Sequence, residues 1–381
     1  MNIRRLFIIA LAVCMSTACS SSRKAATGMA YADGGCKESV SDDGRLIRRT
    51  LPLRDFNEIE CYWITTLKYR QSSEYSVALT TTAKGHELAN VYVDGSKLCL
   101  KWKGRVELEK GMVILEVSCP NPRLIECFGE TVAELSDIDT GDFILTAGSM
   151  SSVSTGRIKG TDVKIDKHGT ANLSMGAVHA SGNLTIKAGG MGKLTAADVS
   201  GSNVSMNKYG TADLCVGPVR ASGDLRIEAG GMGIISTADI NCQSIKIDKS
   251  GTANIESGNI TSSGTFDISC GGMGTLVMGD TEAPAIRLTA TGTAQIRSGK
   301  MSGTTLSINQ GGMGNSILTY KGDRADISSS GARSMNIGVD CNKLNVVHTG
   351  MSAITITGTA DDVKIEGSGA AAVNCSGLNR Y

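Results

Sequence analysis

The sequence Gly-Gly-Met-Gly occurs four times in this 381-residue chain, and its spacing constrains the fold more than any other feature. The copies begin at Gly189, Gly230, Gly271 and Gly311, in steps of 41, 41 and 40 residues. A second series, Gly-Thr-Ala, falls about midway between them and begins at Gly169, Gly210, Gly251 and Gly292. The unit is therefore a coil of about 20 residues with two alternating signatures. A period this short is typical of a solenoid, in which each coil buries its apolar side chains only against its neighbours.

Within one coil the sequence reads as three short strands, each closed by a glycine. In residues 163–183 apolar and polar residues alternate, and Gly169, Gly176 and Gly182 interrupt the alternation. Glycine takes the positive φ that tight corners need, and a period of two is typical of strands. The pattern predicts an all-β fold, a parallel β-helix (solenoid) of about 13 coils. Right-handedness is expected from the usual hand of parallel crossover connections.

One file of residues at a corner of the coil is predicted to point into the core. It alternates threonine and methionine: Thr170, Met191, Thr211, Met232, Thr252, Met273, Thr293 and Met313. Small and large side chains that alternate in this way suit interdigitated packing better than metal binding by the methionines. Gly-Gly-Met-Gly also lacks the Lys-Ser/Thr and the helix of a phosphate-binding loop. We therefore interpret it as a corner with methionine packed inward.

The first residues indicate export and attachment to a lipid. A basic start, an apolar run from Leu6 to Val13 and small residues before Cys19 resemble a bacterial lipoprotein signal, whose cysteine is acylated after cleavage. Ser16 stands where such signals usually carry leucine, and an ordinary signal without a lipid is the alternative. The sequence predicts a signal peptide at 1–18, lipidation at Cys19 and a flexible tether at 19–49. No later apolar run is long enough to cross a membrane.

The rest of the chain divides into a cap and a rod. Residues 50–120 read as β-strands without the 20-residue period, and we assign them to an N-terminal β cap; residues 121–381 form the parallel β-helix. Lysine plus arginine (38) nearly balance aspartate plus glutamate (37), so no global charge favours nucleic acid. No cysteine or histidine spacing resembles a metal site, and the sequence predicts no cofactor.

The entry strands resemble a known family. Asp55-Phe-Asn-Glu-Ile59 is followed by Val91-Tyr-Val-Asp-Gly-Ser-Lys-Leu-Cys-Leu100, and glycine-punctuated coils come after them. This order resembles the putative auto-transporter adhesin head GIN domain, common in lipoproteins of Bacteroidota, over about residues 50–378. The resemblance implies a right-handed β-helix with an adhesin-like, non-enzymatic binding role. It supplies no catalytic residues.

A basic stripe is the candidate binding surface. Lys167, Lys208 and Lys249 recur at one position on alternate coils, and Tyr209 is placed to stack on a sugar ring. The alternative is an ordinary solvated face, since Ala290 occupies the next equivalent position. The four histidines have no ligand spacing and read as solvated or capping residues.

Three functions remain open at this point. The leading one is a lipid-anchored protein that binds a glycan, a protein or an envelope component along its flank. The second is a carbohydrate-active enzyme such as a polysaccharide lyase or hydrolase, for which Asp166 and Asp248 are the carboxylates to test. The third is a passive envelope spacer. We expect an outer-membrane lipoprotein, and basic Arg23 and Lys24 after Cys19 leave both the cell surface and the periplasmic face open.

Overall fold

The chain is a rod of stacked coils. The computed structural model describes residues 27–30, 44–103, 106–368 and 372–380. They form parallel coils in a β-solenoid of about 13 turns, which confirms the predicted fold class. The handedness stays a prediction. The predicted signal peptide at 1–18 and the lipidation site Cys19 lie outside the described residues.

Each regular coil has three sides, named A, B and C here in chain order. Side A is built from parallel strands that stack along the rod: Lys97–Trp102, Glu58–Cys61, Leu124–Cys127, Phe143–Ala147, Val163–Lys167, Asn183–Ala188, Asn203–Lys208, Asp224–Ala229, Ser244–Lys249, Thr265–Cys270 and Ala285–Ala290. The ladders run in register, so that Ile165 pairs with Leu145 of the preceding coil and Ile186 of the next.

Sides B and C follow in the same coils. Side B comprises Ile114–Cys119, Thr66–Gln71, Val132–Leu135, Ser152–Thr155, Asp213–Val216, Ile234–Thr237, Asn254–Ser257 and Thr275–Met278. Side C comprises Ile138–Asp139, Ile158–Gly160, Val219–Ala221, Ile240–Cys242, Ile260–Ser262 and Thr281–Glu282. Two strands bend across both sides, Asn172–Ala180 and Lys193–Gly201. Later strands continue through several sides: Gln295–Gln310, Asn315–Ser329, Ser334–His348, Ile354–Gly367 and Val373–Arg380.

The N-terminal end combines coil strands with antiparallel ones. Leu46–Leu51 pairs with Ser76–Thr82, which also pairs antiparallel with the side-B strand Ile114–Cys119. A short helix, Ala83–Leu88, leads into the hairpin strand Ala89–Asp94. Thr27–Ala30 pairs with Val106–Glu109, so backbone pairing extends into the range predicted as a tether. Among the described residues, no helix is long and apolar enough to cross a membrane.

The core follows the alternation of the strands. On side A, Val163 and Ile165 are buried while Lys164 between them is exposed. The same alternation recurs in every regular coil, and the inward side chains form continuous apolar files along the rod. Each coil therefore depends on its neighbours for burial, as a solenoid requires.

The prediction that the Met–Thr file points inward is wrong. Met191 and Met232 are 56% and 55% exposed, whereas the neighbouring Ala212 is fully buried. The interior of this corner is already occupied, because the side chain of Lys167 from the preceding coil reaches the carbonyl oxygens of Gly189 and Met191 there. The methionine therefore has only the solvent side available.

Glycine is required where the corners stack most closely. Gly190 has φ of 69°, and a Cβ atom added there would lie 2.1 Å from the carbonyl oxygen of Gly169. Gly210 has φ of 71° and meets Gly190 in the same way. A side chain at either position would both strain the backbone and push the coils apart.

Candidate functional site

The lysines predicted as a surface stripe are buried, which corrects that prediction. Lys167, Lys208 and Lys249 are 0%, 1% and 3% exposed. Each occupies the last inward position of its side-A strand, in the alternation that also buries Val163 and Ile165. The three lysines do lie in one file along the side-A ladder, but they are buried although charged side chains are usually exposed.

The buried ammonium groups act as donors inside the rod. Nζ of Lys167 donates to the carbonyl oxygen of Gly189 at 3.0 Å, and Nζ of Lys208 donates to that of Gly230 at 3.0 Å. Lys249 contacts the carbonyl oxygen of Gly271 in the same way, at 3.4 Å. Burial lowers the pKa of all three lysines below its usual value. Three internal donors do not form a surface that a ligand can reach.

Tyr209 is the exposed member of the predicted stripe. Its side chain is 44% exposed and lies over Gly189, where an added Cβ would meet the ring at 2.2 Å. A depression of about 390 Å³ beside it is lined by charged side chains that form ion pairs with one another. Arg226 pairs with Glu228 and, at 3.3 Å, with Asp248. Few hydrogen-bonding groups remain there for a ligand.

A second depression lies along side C and the corner after it. It has a volume of about 790 Å³ and its lining residues come from six successive coils. Its lining is rich in short hydroxyls, amides and carboxylates: Ser222, Asn241, Gln243, Thr261, Ser262, Ser263, Glu282, Ser302, Thr304 and Asp323. We call this surface the side-C groove.

The outward residues of side C form one continuous file, and the groove coincides with its middle. The ladders place in succession Asp139, Lys159, His179, Ser200, Arg220, Asn241, Thr261, Glu282, Ser302, Lys321, Asp340 and Thr359. Neighbours on a ladder lie about 4.8 Å apart. A ligand that follows the rod axis can therefore contact several of them at once.

The side chains of this file form hydrogen bonds or ion pairs on both sides of the groove but not within it. Before the groove, Lys159 bonds to Asp139 at 3.2 Å, and Arg220 bonds to Asp198 at 3.0 Å. Beyond the groove, Lys321 pairs with Asp340 at 2.8 Å.

Within the groove the pairing stops. Among the residues that the structure describes, none forms a side-chain hydrogen bond or ion pair with the side chains of Asn241, Thr261, Glu282 or Ser302. Their donors and acceptors stand exposed or half-buried in a concave surface. No sequence pattern predicts this gap, because the pairing depends on which side chains become neighbours between coils.

Metal and cofactor chemistry has no cluster to support it in the part of the chain that is described. There, no group of three or more histidine, cysteine, aspartate or glutamate side chains is placed to hold a metal ion. His179 bonds to Ser200 at 2.7 Å, and the buried His348 lies between two backbone carbonyls, those of Ser329 and Ser352. Both histidines therefore serve the rod itself.

The comparisons with known proteins agree with the predicted resemblance. Residues 55–238 match the family model described as putative auto-transporter adhesin, head GIN domain, which confirms that resemblance. The description of that model is adhesin-like. No curated protein matches the chain.

Several solved structures are similar over most of their length. A putative adhesin from Parabacteroides distasonis ATCC 8503 is 15% identical, covers 88% of this chain and 100% of its own, and has a TM-score of 0.29. A putative adhesin from Parabacteroides merdae ATCC 43184 is 16% identical, with coverage of 81% and 99% and a TM-score of 0.31. A putative lipid binding protein from P. distasonis ATCC 8503 is 12% identical, with coverage of 88% and 99% and a TM-score of 0.32. TM-scores this low carry no argument about fold or function.

Proposed function

We propose that this protein, whose residues 55–238 match the head GIN domain model, is an adhesin-like lipoprotein that binds a glycan in the side-C groove. Cys19 carries the lipid that holds it to the outer membrane. The observation that supports glycan binding is the unpaired run of Asn241, Thr261, Glu282 and Ser302 within a side-C file that is paired on either side.

The chemistry of these four side chains suits a sugar chain. Hydroxyl and amide groups both donate and accept hydrogen bonds, as sugar hydroxyls do, and a carboxylate accepts from them. The groove runs along the rod, so an extended polymer lies in it with successive units over successive coils. A protein partner is less well matched, since protein interfaces favour a buried apolar or aromatic centre.

The carboxylates of the groove favour binding over hydrolysis. Glycoside hydrolases use one carboxylic acid whose pKa is raised by an apolar, water-poor environment. Glu282 and Asp323 are both exposed. They lie two coils apart, about 10 Å along the rod. Asp248, one of the two carboxylates proposed for an enzyme, is held by Arg226 and Lys246 on side A.

Glycan binding by the full chain, purified in detergent, tests the proposal. The triple variant Asn241→Ala, Thr261→Ala and Ser302→Ala removes three polar groups from the groove. Each hydrogen bond contributes about 0.5–1.5 kcal/mol. We therefore expect the variant to bind a glycan that is identified on a polysaccharide array about 10- to 2,000-fold more weakly.

The matched control changes the same residue types on other faces. Thr289→Ala, Ser307→Ala and Asn336→Ala are exposed positions outside the groove. This variant should bind as the wild type does. Equal loss in both variants, or no binding by the wild-type chain across the array, would rule out the groove as a glycan site. Breakdown of the bound polysaccharide that stops in Glu282→Gln would instead establish an enzyme.

Anchoring and display are separate parts of the proposal. Labelled palmitate should be incorporated into the wild-type chain and not into Cys19→Ser. Protease treatment of intact cells then decides between surface and periplasm, and an adhesive role requires cleavage.

A further inference from the structure

The corner between sides A and B carries a file of exposed methionines and threonines. It comprises Met150, Thr170, Met191, Thr211, Met232, Thr252, Met273, Thr293, Met313, Ala332 and Met351, which we call the methionine ridge. Backbone hydrogen bonds define its alignment. The amide of Met191 donates to the carbonyl of Gly169 at 2.7 Å, and that of Thr211 donates to Gly190 at 2.8 Å. Each residue therefore stands directly above the corner of the preceding coil.

The ridge is apolar although it faces solvent. Its six methionines are between 55% and 79% exposed. The threonines turn their hydroxyls back to the rod: Thr170 donates to the carbonyl of Ser149 at 3.1 Å, and Thr252 donates to that of Gly231 at 3.2 Å. Their methyl groups therefore remain as the outer surface. A long exposed apolar strip is typical of an interaction site, and flexible thioethers adapt well to a partner.

We propose that the methionine ridge joins two copies of this chain, side by side and antiparallel. Large and small residues alternate along the ridge with a period of two coils, about 10 Å. A surface that fits this relief must have the same period, and a second ridge has it. Shifted by one coil, four methionines of each copy lie over threonines of the other, one lies over Ala332, and one extends past the end of the overlap. None of the eleven side chains is charged, so two identical ridges meet without repulsion.

The antiparallel orientation follows from symmetry. A twofold axis along the rod keeps every residue at its own level, so methionine would face methionine and hold the ridges apart. A twofold axis across the rod reverses one copy and allows the one-coil shift. Only the second arrangement closes as a dimer with methionine over threonine.

The length of the ridge is sufficient for a stable contact. After the one-coil shift, ten residues of each ridge overlap over nine coil steps, about 43 Å. A standard interface buries about 800 Å² on each partner. A strip about 19 Å wide along the overlap reaches that area, so the contact must include the residues of sides A and B that flank the ridge. The side-C groove lies on another face and stays open in such a dimer.

Analytical ultracentrifugation of the full chain in detergent tests the proposal. We expect a dimer for the wild type. The triple variant Met191→Glu, Met232→Glu and Met273→Glu places charge at the centre of the ridge and should weaken dimerisation at least about 100-fold. The control Val277→Glu, Ile317→Glu and Val347→Glu changes three exposed apolar residues off the ridge and should leave the dimer intact. Circular dichroism verifies that both variants are folded.

Cross-linking tests the orientation. In the antiparallel dimer, Met150 of one copy lies near Met351 of the other. A short bismaleimide should therefore link chains that carry both Met150→Cys and Met351→Cys, and should not link chains with Met150→Cys alone. Linkage through Met150→Cys alone would overturn the antiparallel arrangement.

Other results overturn the ridge as a dimer contact. The ridge is not a dimer contact if the wild type is monomeric, or if the dimer persists in the variant with three glutamates. It is also not a dimer contact if a monomeric Cys19→Ser chain sediments with phosphatidylcholine vesicles and the three glutamates abolish that sedimentation, because the ridge would then bind lipid. Glycan binding is measured separately, so the failure of one proposal leaves the other standing.

Discussion

Lys208 shows how a single buried charge is used in this rod. Its ammonium donates to the carbonyl oxygen of Gly230, which accepts from no backbone amide among the described residues. The left-handed glycine in this corner turns carbonyls into the interior, and the lysine of the preceding coil supplies the donor. The alternation of Lys and Ala along this file therefore explains why two coils, rather than one, make up the repeat.

Removing this lysine should lower stability. We expect Lys208→Met to lower the free energy of unfolding by about 1–3 kcal/mol, because the partly buried carbonyl of Gly230 loses the one donor that reaches it from the described residues. Lys164→Met, at an exposed position of the same strand ladder, should change it by less than about 0.5 kcal/mol. Urea denaturation measures both. If the two variants were equally stable, the lysine would contribute no net stabilisation.

The same variant gives a pH dependence with a defined sign. Burial lowers the pKa of Lys208 in the folded chain, whereas an unfolded lysine titrates near pH 10.4. Between the two values the unfolded state binds more protons, so stability rises with pH there. The neutral amine still donates its hydrogen bond. The stability difference between wild type and Lys208→Met should therefore grow as the pH rises towards about 10.4. A constant or shrinking difference would contradict this account.

Each Gly-Gly-Met-Gly turn is bound by an internal cation, which comes from either the preceding or the following coil. In the last copy, Ala290 stands where the earlier coils have lysine. The buried Arg333 serves that turn from the following coil: its guanidinium donates to the carbonyls of Gly311 at 3.3 Å and Gly292 at 3.0 Å. The position that looked like a break in a surface stripe is thus compensated inside the rod.

Because Arg333 replaces the missing lysine at this turn, a lysine at position 290 should compensate for the loss of Arg333. Arg333→Ala should lower the free energy of unfolding by about 2–4 kcal/mol, since several buried carbonyls lose a charged donor. Adding Ala290→Lys to that variant restores the lysine of the earlier repeats and should recover at least about half of the loss. Ala290→Lys alone should destabilise, because the corner already holds Arg333. Without recovery in the double variant, the two cations would not be equivalent.

At the scale of the whole molecule, stability is a sum over coils and their interfaces. Each coil contacts only its neighbours, so removal of a complete repeat leaves the remaining interfaces intact. The repeat is complete only over the pair of coils, because Lys and Ala alternate in the interior. Length in this rod should therefore change in steps of 41 residues rather than 20.

Deletions of the two lengths test this. Removing residues 211–251 joins Gly210 to Thr252 and places Lys208 beneath the next Gly-Gly-Met-Gly turn. The shortened chain should fold cooperatively, with a urea m-value reduced roughly in proportion to its length. Removing residues 190–210 also takes away Lys208 and leaves the Gly230 carbonyl without a donor. We expect that shorter deletion to be the more destabilising one, and the reverse order would disprove the two-coil unit.

The sequence by itself determined the solenoid, its coil number, the membership of its files and the resemblance to the head GIN domain. Those follow from a periodic pattern of glycines and alternating apolar residues, which any stacked coil must satisfy. It did not determine which way Lys167 and Met191 face: the charged lysine was expected outside and the apolar methionine inside, and both expectations are wrong. Their direction depends on carbonyl groups that point into the corner, and on a lysine from another coil that fills it. The unpaired groove likewise arises only when side chains 20 residues apart become neighbours, so tertiary structure alone decided it.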